Sequence, residues 1–140
     1  MASVPTYLGD TSVFTNAHHS QVDQALRPLI DGGLVATCGM VDLEVLFTAR
    51  NAEEIRSIWS RRRLGLNRIE IEDADFERAA EVMEALSARG LHRAANVNDL
   101  LVAAVAERTG LTVLHYDQDF DYIGQATGQA TEWVVPKGSI

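Results

Sequence analysis

Strand-like apolar runs alternate with amphipathic helical stretches along almost the whole chain, and this alternation restricts it to an α/β domain built on a largely parallel sheet. Residues 4–9 read as the first strand. A helix follows with Val22, Ala25, Leu26, Leu29 and Ile30 on one side, and Asp31-Gly32-Gly33 ends it, because the two glycines supply a stop and a turn. A second strand over 34–38 leads into a helix over 41–50, and residues 51–63 form another with Ile55, Ile58 and Trp59 at core spacing. After the short segment 68–71, Asp73 has the chemistry of an N-cap. Phe76, Ala79, Ala80, Met83 and Leu86 then form an inward stripe that Arg89-Gly90 terminates. A polar loop over 90–97, an apolar helix from Asn98 or Asp99 to Thr109, a strand over 112–116, an acidic turn and a last strand over 132–135 closed by Pro136 complete the pattern. No repeat or linker interrupts it, so one domain over residues 1–140 is expected.

Four isolated carboxylates stand where these apolar segments start or stop: Asp10, Glu44, Asp99 and Asp117. A carboxylate beside a core costs several kcal/mol unless a cation or hydrogen-bond donor compensates it. The simplest explanation for four of them is that the fold gathers them around a divalent metal. Asp10-Thr11-Ser12 follows a strand, where α/β sheets place their ligands, and Thr11 or Ser12 can donate to a carboxylate or phosphate. Asp10 equally suits an N-cap. Glu44 is surrounded by Leu43, Val45, Leu46 and Phe47, and Asp42, on another side of the same helix, is expected to be the solvated member. Asp99 opens a helix that is apolar nearly all round, a place that favours an acid through the helix dipole as well as through ligation. Asp117 ends a strand, with Asp119 as a neighbouring or alternate ligand. The run 117–121 has alternating acids like a calcium loop but lacks its glycine and terminal Glu.

Such a set suits phosphodiester hydrolysis, which needs a nucleophile made from water at neutral pH and a stabiliser for the leaving oxyanion. Mg²⁺ or Mn²⁺ on a few carboxylates supplies both. Other chemistries lack their motifs. His18, His19, His92 and His115 have no zinc-ligand spacing with Cys38, and no nucleophile elbow, phosphate loop or dinucleotide fingerprint occurs. A net charge of −8 excludes coating nucleic acid through a general positive field, though not local handling of it. All basic residues but Lys137 are Arg, a choice that suits phosphate and equally follows from a GC-rich genome. Cys38, alone and in an apolar run, reads as a core residue of a reducing compartment. No stretch approaches the roughly 20 apolar residues of a membrane span, and no leader is apparent, so a cytoplasmic location is expected.

Leu8-Gly9-Asp10-Thr11-Ser12, the helix with Leu43-Glu44, Asn98-Asp99-Leu100-Leu101 and Tyr116-Asp117-Gln118-Asp119-Phe120 resemble, in order and spacing, the four acidic motifs of PIN-domain ribonucleases. The layout, with Trp133-Val134-Val135-Pro136 near the end, is similar to VapC toxins of toxin–antitoxin pairs, particularly actinobacterial ones. The resemblance implies a twisted, mainly parallel sheet of about five strands flanked by helices. It also implies a Mg²⁺- or Mn²⁺-dependent endoribonuclease that cuts structured RNA such as tRNA or rRNA. A VapB antitoxin would neutralise it, the toxin forming homodimers and toxin–antitoxin hetero-oligomers with no membrane association. Asp10, Glu44, Asp99 and Asp117 match the family's metal-binding acids, Asp119 an additional acid, and Thr11 or Ser12 the hydroxyl that follows the first. Three positions depart from the pattern. Gly9 replaces a bulky apolar residue and implies a looser strand end. Val41 replaces a Ser or Thr able to form a capping box. Asn98 replaces a Pro, and is itself a good cap. Trp59 with Arg61, Arg62 and Arg63, and His92 with Arg93, are the expected RNA-binding residues, the alternative being a solvated helix end. A degenerate domain that binds an Arg-rich partner through its acidic cleft is the second reading.

Overall fold

The computed structural model describes residues 4–140. The sheet holds β1 (Tyr7–Gly9), β2 (Val35–Cys38), β3 (Asn67–Ile69), β4 (Thr112–His115) and β5 (Thr131–Trp133) in the order β3-β2-β1-β4-β5. Every pair is parallel, so each connection must cross over a face of the sheet and carries helix. The helices are α1 (Thr11–Thr15), α2 (Ser20–Asp31), α3 (Gly39–Phe47), α4 (Ala52–Gly65), α5 (Asp73–Ala88), α6 (Val97–Thr109) and α7 (Asp119–Thr127).

Alternation along the strands divides the core. Leu8, Ala36 and Val113 pack on one face with α5, α6 and α7, while Val35 and Leu114 pack on the other with Val22 and Leu26 of α2. The central position goes to α6, buried continuously from Asp99 to Ala106. Because β1 lies between β2 and β4, the carboxyl ends of β1 and β4 are neighbours: Gly9 is in register with Leu114, and the Asp10 N–H donates to the Leu114 carbonyl at 2.9 Å. Among the described residues no helix is long and apolar enough to cross a membrane.

Several faces differ from the expected ones. The first strand begins at Tyr7, since the Thr6 and Tyr7 N–H groups both turn to the Leu34 carbonyl. In α5 the inward residues are Asp75, Ala79, Val82 and Leu86, while Phe76, Ala80 and Met83 face out. The helix is rotated because Asp75 accepts two bonds from the Arg108 guanidinium of α6, at 2.8 and 3.0 Å. Its N-cap is Glu72 rather than Asp73. In α4 the sole buried residue is Arg62, and Ile55 is exposed. Asp42, expected in solvent, is buried: the Arg62 Nε donates to its Oδ1 at 2.9 Å, and Arg68 Nη1 stands 2.8 Å from its Oδ2. The helix α6 starts earlier than expected, capped by Asn96, whose side chain accepts from the Asp99 N–H at 2.8 Å. The acidic turn opens α7, which was not anticipated and buries Phe120 and Ile123.

Candidate active site and metal centre

The carboxyl ends of β1 and β4 hold two of the acids. Asp10 caps α1: its Oδ2 accepts from the Ser12 N–H at 3.0 Å and from the Ser12 hydroxyl at 2.6 Å. The same hydroxyl oxygen accepts from the Tyr116 N–H at 2.8 Å, so one side chain ties the ends of the two strands together. Just past β4, the Asp117 N–H donates to His115 Nδ1 at 3.1 Å, and Asp117 Oδ1 accepts from the Asp119 N–H at 2.9 Å. That bond requires the neutral tautomer with its proton on Nε2, and burial accordingly pushes the His115 pKa down to about 4, against the pull of Asp121 and Asp117.

The other two acids come from helices packed over this end of the sheet. Glu44 projects from α3 and accepts from Thr11 Oγ1 and from Asn98 Nδ2, each at 2.8 Å and each on a different carboxylate oxygen. Asp99, in the first turn of α6, is 4% exposed, and its Oδ2 is buried with no donor among the described residues. Ligand oxygens of Asp99, Asp117 and Asp119 all lie within 4.8 Å of one another. Burial, and then the charges of Asp10, Asp117 and Asp119, push the Asp99 pKa up to about 9. Asp10 is raised for the same reasons, burial first and Glu44 and Asp117 after it, in spite of the Ser12 donors. Asp119 is raised by burial and by Asp117. These acids are thus gathered with a shortage of positive charge and of donors, and an orphaned buried oxygen in an all-oxygen set is what a hard divalent cation fits.

The expected loosening at Gly9 is not found. A Cβ there would stand 2.8 Å from Cζ of Phe14, so Gly9 is the gap that the Phe14 ring fills. The Arg62 guanidinium lies 4.3 Å from the centroid of that ring. Val41 is buried and needs no capping role, because α3 begins two residues earlier at Gly39. Asn98, expected as a cap, instead donates to Glu44, and His115 accepts from the Asp117 backbone N–H; neither role was expected. The one available signal was an amide directly beside Asp99.

Of the residues expected to meet RNA, Arg62 is withdrawn, since its guanidinium is engaged by Asp42, Thr37 and the Phe14 ring. Arg61 and Arg63 are exposed on different sides of α4, and His92 and Arg93 are exposed in the loop before α6.

The family model described as PIN domain matches residues 7–125. The chain is 44% identical over 133 residues to Ribonuclease VapC21 of Mycobacterium tuberculosis, an alignment covering 95% of this chain and 96% of that protein. It is 42% identical over 137 residues to Ribonuclease VapC51 of the same organism, covering 96% of each. Among solved structures, its fold is similar to DNA-bound VapBC from Salmonella typhimurium, with a TM-score of 0.75 and 12% identity over 94% of this chain and 100% of that one. A VapBC2 chain from Rickettsia felis, bound to a promoter DNA fragment, matches with a TM-score of 0.73 and 19% identity over 91% and 97%.

Proposed function

The chain belongs to the PIN-domain family, among its VapC members, and from that footing we propose that it is a metal-dependent endoribonuclease toxin acting on structured RNA, tRNA or rRNA. Asp99, Asp117 and Asp119 would hold the ion, Mg²⁺ or Mn²⁺, with Asp10 beside them. Bound there, the cation would make a water acidic enough to attack at neutral pH and would offset charge on the leaving oxygen.

The remaining steps belong to the chain's own residues. Thr11 and Asn98 hold Glu44, and each of its oxygens keeps a second lone pair with which to orient or deprotonate a water. Ser12 fixes Asp10 against β4, and His115 fixes the backbone of Asp117, so the acids are held in place before the reaction. In the cytoplasm, a VapB-type antitoxin would silence the enzyme by placing an Arg or Lys among the carboxylates, compensating them as the ion does.

The observation that carries this reading is the buried, donorless Oδ2 of Asp99 among three further acids. It favours catalysis over the inert binding module, because no acid has been lost. Purified protein should cut RNA with Mg²⁺ or Mn²⁺, stop with EDTA, and lose cleavage on Asp99→Asn. Cleavage that persists in EDTA would sink the mechanism.

A further inference from the structure

We infer that the outer face of α4, joined by Arg68 of β3, is the surface on which the RNA backbone docks; the inference rests on the ribonuclease reading and adds the place where substrate is held. An enzyme of net charge −8 whose centre is a cluster of acids repels phosphates, so a polyanionic substrate needs a local positive surface. Arg56, Trp59, Ser60, Arg63 and Leu64 line a single groove, and their spacing puts them on one face of the helix. Among the described residues neither Arg56 nor Arg63 has a carboxylate partner.

Arg68 extends this face. Asp42 offers one negative charge to two guanidiniums, the buried one of Arg62 and that of Arg68, whose side chain is 53% exposed, so one positive charge remains for solvent or ligand. The Trp59 ring lies between Arg63 and Arg68, 5.7 and 5.2 Å from their guanidinium carbons, and holds both heads beside the groove.

The location fits a substrate that must reach the acids. Arg68 Nη2 stands 3.3 Å from where a Cβ on Gly39 would be, at the carboxyl end of β2. The next strand is β1, which Asp10 follows, and neighbouring strands are about 4.8 Å apart. Arg63 lies lower, sharing a pocket with Gly33 and Asn67 at the starts of β2 and β3, so the positive face runs along the sheet edge from Arg63 up to Arg68, which reaches the end that carries the acids. An acidic protein segment would match the charge too, but a ribonuclease whose own centre repels phosphate needs such a surface for its substrate.

The double variant Arg56→Gln/Arg63→Gln, with Arg89→Gln as a charge control, tests this on the full chain. With Mn²⁺ and a long structured RNA, KM should rise at least tenfold with kcat little changed. The slope of log affinity against log salt should shrink by about 1.4, at roughly 0.7 for each phosphate of single-stranded RNA that is no longer neutralised. Mn²⁺ affinity and the far-ultraviolet spectrum should match wild type. An unchanged KM and salt slope overturns the docking surface and leaves the ribonuclease reading intact. If the wild type cuts no RNA, anisotropy with labelled RNA decides instead, and equal affinity for wild type and double variant overturns the inference. Weakened binding of polyglutamate with RNA binding intact would also overturn it, assigning the face to an acidic protein.

Discussion

Asp99→Asn should stabilise the metal-free protein while destroying its centre. The Asp99 carboxyl titrates at 3.8 in an unfolded chain and at about 9 in the fold, where burial and the charges of Asp10, Asp117 and Asp119 disfavour its ionised form. Between those values the folded state retains a proton that the unfolded state has released. Stability contributed by that proton is complete at the acid end and is lost as pH rises, at ~1.4 kcal/mol per pH unit. From pH 5 to pH 8 the loss amounts to about 4 kcal/mol at most, an upper bound because Asp10 and Asp119 are also raised and share the cost. Over this range His115, at about 4, stays neutral, and Asp75 stays ionised. Burial opposes Asp75, but the Arg108 guanidinium and the Glu72 N–H outweigh it and hold its pKa below the usual carboxylate value. Urea denaturation in EDTA at pH 5, 6.5 and 8 is the assay. Wild type should weaken steadily while Asp99→Asn, left with the smaller contributions of Asp10 and Asp119, weakens less, so the variant is the more stable protein at pH 8. Mn²⁺ at a hundred times its Kd should restore about 2.7 kcal/mol to wild type and nothing to the variant. A wild type whose stability is flat across this range, or a variant weaker than wild type at pH 8 in EDTA, refutes the reasoning.

Three further substitutions test the supports of the site. Asp42→Asn leaves the Arg62 guanidinium buried without a counter-charge and should cost about 3–5 kcal/mol in urea denaturation, whereas the apolar pair Asp42→Leu/Arg62→Met should recover most of it. Gly9→Ala drives a methyl against the Phe14 ring and should cost about 1–3 kcal/mol, relieved when Phe14→Leu is added. His115→Leu removes the acceptor of the Asp117 N–H and should weaken Mn²⁺ binding by about 10–100-fold, while His115→Asn, whose Oδ1 stands near the place of Nδ1, should keep most of it; equal loss in both would refute the positioning role.

The strand and helix alternation was readable because each βα unit repeats the same local signals, and the expected parallel sheet of five strands is the one found. What escaped was the rotation of individual helices. The α5 pattern contains two competing apolar stripes, and the choice between them is made by an ion pair between Asp75 and Arg108, 33 residues apart in sequence. The same holds for α3, where apolar spacing cannot announce that Asp42 will meet Arg62 from 20 residues away. A buried ion pair inverts the usual reading of a charged residue, and neither partner carries a local mark of it. In α7 the obstacle was different: three acids at alternating positions hid a helix whose inward side is only Phe120 and Ile123.

Position relative to apolar segments revealed the acids, and that reasoning weighed capping against ligation as rivals. For Asp10 they are one arrangement. The Ser12 N–H and hydroxyl that make Asp10 a cap occupy one of its oxygens, Oδ2, and lock the side chain against β4. Its other oxygen remains for the cleft. Asp99 is placed by the opposite device: Asn96 takes over the cap, which frees the Asp99 carboxylate from any helix-end duty and leaves its Oδ2 without a donor. A first-turn acid that caps its own helix is stabilised by that helix, whereas a first-turn acid beside another cap must find its compensation elsewhere. In this chain that test separates the two cases, because Asn96 stands three residues before Asp99 while nothing but Asp10 itself caps α1. The same test, which needs only the sequence around a helix start, would have ranked Asp99 as the acid most dependent on a bound cation.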